Sequence, residues 1–189
     1  MAAFTVIEHL ELGASGAASV TLDDDGSSIP TDGTYDHLLI LCSTRMEGST
    51  YMGEGRLAFN GVMTSTEYST TWLSAYEYGG TNYVFSDNET TGANGMRADL
   101  SAGTDQAAGI FSSTKIWVPN FAGEVGNKQV LIQTVSPSDV ATDYYWSLSM
   151  RAGLWAPATP AAITSCTFTG GASDYAQYST FTLYGVKGA

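Results

Sequence analysis

Polar and apolar residues alternate with a period of two along much of this 189-residue chain. In the segment "WSLSMRAGLW", the even-numbered positions from 146 to 154 are apolar, and Ser147, Ser149 and Arg151 lie between them. The segment "FTVIEHLEL" alternates less regularly, and four of its apolar residues are assigned to one side: Phe4, Val6, Leu10 and Leu12. Successive side chains of a β-strand point to opposite faces of the sheet, so this period predicts strands.

Other segments predict strands by composition rather than by alternation. "HLLILC" and "KQVLIQTV" are short, continuous apolar runs, which are typical of strands covered on both faces. "SSTKIWVP" ends at Pro119, a residue that the interior of a central strand does not tolerate. "ITSCTFT" and "QYSTFTLYGV" are rich in Thr, Tyr and Phe, which favour strands.

The last of these strands lies almost at the end of the chain. It offers Phe181 and Leu183 to one face, and Thr180, Thr182 and Tyr184 to the other. A strand so near a terminus avoids fraying only when neighbours pair with it and bury its apolar face. We therefore expect it inside a sheet, beside a strand near residues 4–12 or 35–43.

Helical signals are scarce, and "STEYSTTWLSAYEY" is the best candidate for one short helical turn. The pattern predicts an all-β fold, an antiparallel β-sandwich or jelly roll of about eight to ten strands with little helix. We expect a single β-sandwich domain over residues 1–189, with tight turns at Asp25-Gly26 and Asn60-Gly61. A long polar, glycine-containing excursion is expected around residues 64–106.

Charge narrows the classes of partner. The net charge is −12, and the seven basic residues are scattered singly along the sequence. Phosphate backbones and anionic membranes require clustered Lys and Arg, so we expect neither nucleic acid nor membrane as a partner. The start has no basic segment before an apolar one, and no run of about 18 apolar residues occurs, so we expect a soluble protein without a signal peptide.

Candidate chemistry is sparse, and the pattern predicts no catalytic, cofactor-binding or metal site. His9 and His37 are flanked by strand-like residues, and no spacing brings His, Cys and carboxylates together. "DDDG" at 23–26 favours an acidic turn over a calcium loop, because it lacks alternate ligand spacing. Cys42 and Cys166 are expected to be buried free thiols rather than a disulfide.

The segment "WLSAYEYGGTNYVF" concentrates aromatic residues in a polar, glycine-containing region. Its candidate surface-contact aromatics are Trp72, Tyr76, Tyr78 and Tyr83. Exposed rings of this kind stack on sugars or anchor protein interfaces. The alternative is that they cover one end of the sandwich core.

The C-terminal segment "GLWAPATPAAITSCTFTGGASDYAQYSTFTLYGVKGA" resembles a recurrent ending of small virion proteins of tailed phages and prophages. The matching positions are 153–155, 163–169, Ser179 and 183–186, with Val186 where Ile is more usual. The opening "FTVIEHLELGASGAASVTL" resembles the start of the same proteins. "FNG" at 59–61 and "IWVPNFAG" at 116–123 also fit, and the resemblance is weakest between residues 64 and 106.

The resemblance implies a β-sandwich structural protein on the capsid surface or the tail of a virion, synthesised in a bacterial cytoplasm. The first hypothesis is a non-enzymatic capsid decoration (cement) protein that binds the major capsid protein and forms a homotrimer, by analogy with other phage proteins. The alternative is a carbohydrate- or receptor-binding module of a tail or fibre, which would contact a tail protein. A glycan-degrading depolymerase is disfavoured, because the chain is short and shows no recognisable catalytic site.

Overall fold

A computed structural model describes residues 3–48, 52–63, 66–78, 80–90, 94–139, 147–171 and 173–188, which contain twelve strands and no helix. The first six strands are β1 (Ala3–Glu11), β2 (Ser19–Leu22), β3 (His37–Thr44), β4 (Met52–Phe59), β5 (Tyr68–Tyr78) and β6 (Thr81–Glu89). The other six are β7 (Met96–Ala102), β8 (Ser112–Pro119), β9 (Lys128–Ser136), β10 (Ser147–Trp155), β11 (Cys166–Thr169) and β12 (Thr180–Lys187).

The strands form two antiparallel sheets. The larger sheet has eight strands in the order β1-β12-β3-β8-β9-β10-β5-β6, and the smaller has four in the order β2-β11-β4-β7. Buried residues of both sheets form one hydrophobic core, so the predicted all-β, antiparallel sandwich is confirmed. A jelly roll is not confirmed, and the strands outnumber the predicted eight to ten because short pairings such as β2 with β11 add to the count.

The closing strand lies where the sequence predicts. β12 pairs with β1 on one side and with β3 on the other. Phe181 and Leu183 are fully buried, whereas Thr180, Thr182 and Tyr184 point to the opposite face and are half-buried. The chain therefore ends inside a sheet, with neighbours that prevent fraying.

Strand β1 contains a β-bulge between Val6 and Glu8. The extra residue shifts the alternation by one, so Val6 faces solvent while Leu10 faces the core. The prediction that Phe4, Val6, Leu10 and Leu12 share one side is therefore wrong. Glu8, just after the bulge, is buried and accepts hydrogen bonds from the backbone N–H groups of Asp23 and Asp24.

The continuous apolar strands β3 and β9 are covered on one face only by the described part of the chain. Leu41 of β3 and Leu131 and Val135 of β9 are exposed, while their neighbours along each strand are buried. The prediction that both faces are covered is wrong for this chain alone, because the smaller sheet packs against only one face of the larger sheet.

The range 64–106, expected as an excursion, contains the three strands β5, β6 and β7. β5 and β6 form an antiparallel hairpin at one edge of the larger sheet, and β7 pairs with β4 in the smaller sheet. The candidate helical turn lies in β5, where Thr, Trp and Tyr alternate between the two faces.

Local predictions about cysteines and turns are confirmed. Cys42 and Cys166 are buried and are not joined in a disulfide, and burial raises the pKa of Cys166. The "DDDG" segment is a tight turn in which Gly26 N–H donates to Asp23 Oδ1 at 2.8 Å. In the part of the chain that the structure describes, no helix is long and apolar enough to cross a membrane.

Candidate functional site

The β5–β6 hairpin carries a cluster of three aromatic rings near its tip. Tyr76 and Tyr83 are cross-strand partners whose rings stack with centroids 5.1 Å apart, and Phe85 meets Tyr76 edge-on at 5.5 Å. Tyr83 and Phe85 are 41% and 42% exposed. Cross-strand aromatic pairs stabilise a hairpin and also leave amphipathic surface for a ligand or partner.

Trp72 does not belong to this exposed cluster. It is buried, and the guanidinium groups of Arg97 and Arg151 lie 4.8 Å and 5.9 Å from its ring centroid. These cation–π contacts give Trp72 a structural role at the base of the hairpin. The side chain of Tyr78 lies outside the described part of the structure, and its backbone pairs with Thr81 at the hairpin tip. Of the four predicted aromatics, the structure thus brings Tyr76 and Tyr83 together at the surface.

A network of charged residues joins the base of the hairpin to the smaller sheet. Glu89 of β6 accepts hydrogen bonds from Arg56 at 2.9 and 3.1 Å and from Arg97 at 3.0 Å. Glu54 of β4 pairs with Arg97 at 2.7 Å and with Arg151 at 3.4 Å. Arginines that are isolated in sequence therefore converge in space.

The electrostatics of this network are set by competing effects. Burial opposes the ionisation of Glu89 and raises its pKa, but hydrogen bonds and charges from Arg56 and Arg97 outweigh burial and hold the pKa below its usual value. The network positions the hairpin without presenting a free cation, because the guanidinium groups of Arg56 and Arg97 are paired with carboxylates.

The inner face of the larger sheet is unusually polar beneath β8, β9 and β10. Ser112 donates to Ser136 at 2.7 Å, and the hydroxyls of Thr114 and Thr134 are 3.1 Å apart, all four side chains being buried. In β10, the buried residues are Ser147, Ser149, Arg151, Gly153 and Trp155, so the half of the strand that begins at Ser147 buries polar side chains. The predicted alternation of β10 is confirmed from Ser147 to Leu154, with the apolar side facing outward, whereas Trp146, which the prediction places on that side, lies outside the described residues.

The outer face, defined as the side of the eight-stranded sheet turned away from the smaller sheet, carries large aliphatic residues. Six of them on β5, β6, β9 and β10 are 43–74% exposed: Leu73, Val84, Leu131, Val135, Leu148 and Met150. Strand register places them as neighbours, since Leu148 lies between Val135 and Ala75, and Met150 lies beside Leu73. Single exposed apolar residues are common on soluble proteins, but a contiguous exposed apolar patch of this kind usually marks an interaction site.

Charge is nearly absent from this surface. Among the described outward positions of β5, β6, β8, β9 and β10, the charged residues are Glu77 and Lys115. The chain as a whole carries 19 acidic residues. The acidic surface therefore lies elsewhere, and the outer face can pack against another neutral surface without burying carboxylates.

Sequence reasoning missed the outer face and Phe85. The signal was present in "WSLSMRAGLW", where Ser and Arg fill one face of a central strand and Leu and Met fill the other. Alternation alone does not say which face is inside. Phe85 follows two residues after Tyr83 on the same strand and therefore shares its face.

The two histidines lie apart and have ordinary contacts. His9 Nδ1 is 2.8 Å from Thr182 Oγ1, and His37 Nδ1 accepts the Asn120 N–H at 3.1 Å. No group of three or more His, Cys, Asp or Glu residues suited to a metal ion occurs among the residues whose placement is described.

Comparisons with known proteins add little. No protein-family model matches this chain, and no curated protein matches it. A solved structure titled "Structure of infectious bursal disease virus Gx strain" aligns with 98% of this chain and 39% of its own chain, at 14% identity and a TM-score of 0.18. This chain thus spans well under half the length of that protein, and so low a TM-score carries no argument about fold or function.

Proposed function

We propose that this chain is a non-enzymatic structural protein of a bacteriophage virion, a capsid decoration (cement) protein that binds the outer capsid and stabilises the shell. The observation that carries the proposal is the β5–β6 hairpin, whose strand β6 is exposed along both faces and whose tip presents stacked aromatic rings. An edge hairpin of this kind is suited to protein contact, since its rings supply apolar area and its edge supplies backbone hydrogen-bonding groups.

The rest of the molecule suits a mechanical role. The charged network holds the hairpin on the sandwich at its base, so force on the tip is transmitted to both sheets. Many copies, each bound by its hairpin to the major capsid protein, bury area across capsomer boundaries and offset the pressure of packaged DNA. The similarity of both chain ends to phage virion proteins supports the same assignment.

Copy number on purified virions tests this proposal. Quantitative mass spectrometry should find the chain in numbers comparable to the major capsid protein. A handful of copies per particle would contradict decoration and favour a tail location.

A binding assay locates the contact. Double substitution of Tyr83→Ser and Phe85→Ser should abolish rebinding of the purified protein to particles stripped of it, because both rings are exposed and their loss leaves the core intact. Val125→Ser is the matched control, since Val125 is 92% exposed in the loop before β9, at the other end of the sheet. Equal rebinding of both proteins would overturn the assignment of the hairpin as the contact.

A second candidate function is a carbohydrate-binding module that uses the same rings. It is favoured by an open groove of about 540 Å³ beside Tyr76 and Tyr83, whose lining includes the polar side chains of Glu77 and Asn82 as well as Val84, Val135 and Leu148 of the outer face. Aromatic faces beside polar side chains are suited to sugar rings. A glycan array with the intact protein and with Tyr83→Ala tests it, and no signal from the intact protein counts against it.

A further inference from the structure

We propose that the outer face binds the same face of a second copy of this chain, forming a pair related by a two-fold axis. This goes beyond the capsid contact, which uses the rings on the opposite side of the β5–β6 hairpin. It also replaces the trimer implied by the resemblance with a pair. The argument rests on the distribution of polar residues, on shape and on charge.

The distribution of residues is the first step. Beneath this part of the sheet, hydroxyls and Arg151 are buried, while Leu73, Leu148 and Met150 face outward and are more than half exposed. A strand that buries Ser and exposes Leu is unfavourable in an isolated monomer, because apolar area removed from water is the main stabilising contribution. The arrangement becomes favourable when another surface covers the outer face.

The area available is sufficient for a stable pair. The six exposed aliphatic side chains present roughly 600 Å² of apolar surface, at the upper end of what soluble monomers leave uncovered. With the polar residues that surround them, the face approaches the roughly 800 Å² per partner of a standard protein interface. A single peptide or small ligand would cover only part of it.

Shape is the second step, because the face carries a ridge and a cleft side by side. The ridge consists of two rows of large side chains across the strands: Leu73 and Met150 form one row, and Val84, Leu148 and Val135, which also border the groove beside Tyr76 and Tyr83, form the other. The cleft, of about 420 Å³, lies immediately beyond along the same strands and is lined by small or polar residues such as Ser69, Thr71, Ala152 and Gly153, with Leu131 and Trp117 at one side.

A two-fold axis across the strands, between the Leu73–Met150 row and the Thr71–Ala152 row, places the ridge of each copy against the cleft of the other. Met150 of one copy then faces Ala152 of the other, and the contact is isologous and closed. Face-to-face packing of two sheets is also a standard arrangement for apolar sheet faces.

Charge is the third step and favours a second copy over a basic partner. Each chain has a net charge of −12, so two copies repel at long range, and the repulsion at contact is weakest when the meeting surfaces carry few carboxylates. The part of the outer face formed by β5, β6, β8, β9 and β10 is such a surface, with Glu77 at its margin, whereas Glu11 of the same sheet face lies on β1 at the opposite edge. A basic partner would be recognised by acidic side chains, and this face does not offer them.

Multi-angle light scattering and sedimentation of the purified protein test the inference. Between about 1 and about 200 µM, the mass should rise from that of one chain toward about 40 kDa, twice the 19.9 kDa of a single chain. A monomer throughout this range, or a trimer, would overturn it. This measurement needs no variant, and because it uses no virion its outcome is independent of the capsid proposal.

Two variants test the face and its shape separately. Leu148→Asn with Met150→Asn should weaken pairing at least about a hundredfold, because it removes two ridge side chains that are more than half exposed. Ala152→Trp keeps the face apolar but fills the cleft, and it should also prevent pairing. If the copies associated through non-specific apolar contact, the Ala152→Trp variant would pair as tightly as the unmodified protein or more tightly. That result would overturn the two-fold arrangement.

Val6→Asn is the matched control. Val6 is 53% exposed, close to the 52% of Met150, and lies on the same sheet face at the opposite edge. This variant should pair like the unmodified protein. Circular dichroism and melting temperature confirm that each variant is folded, and a folded ridge variant that still pairs would overturn the proposal.

Discussion

At the scale of single residues, the buried hydroxyl of Tyr68 links the two sheets. It accepts the backbone N–H of Phe59 at 2.8 Å, and the ring stacks on Trp155 with centroids 6.4 Å apart. Phe59 ends β4 in the smaller sheet, whereas Tyr68 begins β5 in the larger one. A hydrogen bond inside the core therefore fixes the crossing of the chain from one sheet to the other.

Replacing Tyr68 by Phe should lower the free energy of unfolding by about 1–3 kcal/mol at neutral pH, because a buried N–H loses its acceptor. Burial raises the pKa of Tyr68 to about 12 in the folded protein, so this group contributes stability that is complete below its unfolded value near 10 and is lost as pH rises toward 12. The difference between the two proteins should thus shrink with rising pH. Urea unfolding at about pH 8 and about pH 10.5 measures it, and a constant difference would contradict the assignment.

Arg151 shows where residue-level prediction from sequence ends. Its position in the alternation of β10 is readable, but its burial depends on Glu54 and Trp72, which come from distant parts of the chain. A lone arginine that shares a strand face with two serines looks solvent-facing until those partners are known. The same limit applies to Trp72, which sequence places with the surface aromatics, whereas the structure buries it in contact with the guanidinium groups of Arg97 and Arg151.

At the scale of elements, the predictions that succeed depend on local pattern. β12 alternates cleanly and pairs with β1 and β3, as expected from its Phe181 and Leu183 face. The predictions that fail depend on long-range choices, such as the bulge in β1 or the side of the large sheet that the smaller one covers. β5 is the strand that its sequence predicts least clearly, because its many Ser, Thr and Tyr residues suit turns as well as strands.

The β5–β6 hairpin is held by Glu89, and its attachment is testable. Glu89→Gln removes the charge that pairs with Arg56 and Arg97, so we expect a loss of about 1–3 kcal/mol of stability. Amide hydrogen exchange should become faster in β6 than in the central strands. Glu77→Gln, on the neighbouring strand of the same hairpin, is the control and should leave exchange unchanged.

The pH dependence of stability gives a second test of the role of Glu89 in the β5–β6 hairpin. Because the folded pKa of Glu89 is lowered, its contribution is present above the unfolded value near 4.5 and is lost as pH falls below it. The unmodified protein should therefore lose more stability on acidification than Glu89→Gln does. Parallel acid-unfolding curves for the two proteins would show that the arginine contacts do not stabilise the hairpin.

At the scale of the whole molecule, polarity is distributed in three zones. One half of the sandwich has an apolar core, the other half buries hydroxyls, and the outer face beyond those hydroxyls is apolar. The chain has a net charge of −12, but the described outward positions of β5, β6, β8, β9 and β10 carry almost no charged residues. This distribution is expected of a subunit that leaves apolar surface exposed after folding and buries that surface when it associates.

Salt distinguishes this kind of association from one based on ion pairs. Two chains of charge −12 repel at long range, and salt screens that repulsion, with a Debye length of about 10 Å at 0.1 M. Ion pairs across an interface would be weakened by the same screening, but the described outward positions of β5, β6, β8, β9 and β10 offer only Glu77 and Lys115 for such pairs. Pairing should therefore tighten as sodium chloride rises from about 20 to about 300 mM, and sulfate should strengthen it further by favouring burial of apolar surface.

Sedimentation equilibrium measures the dissociation constant at each salt concentration, with the Leu148→Asn and Met150→Asn double variant remaining monomeric throughout. Weaker pairing at higher salt would show that charged residues, rather than the apolar ridge and cleft, hold the copies together.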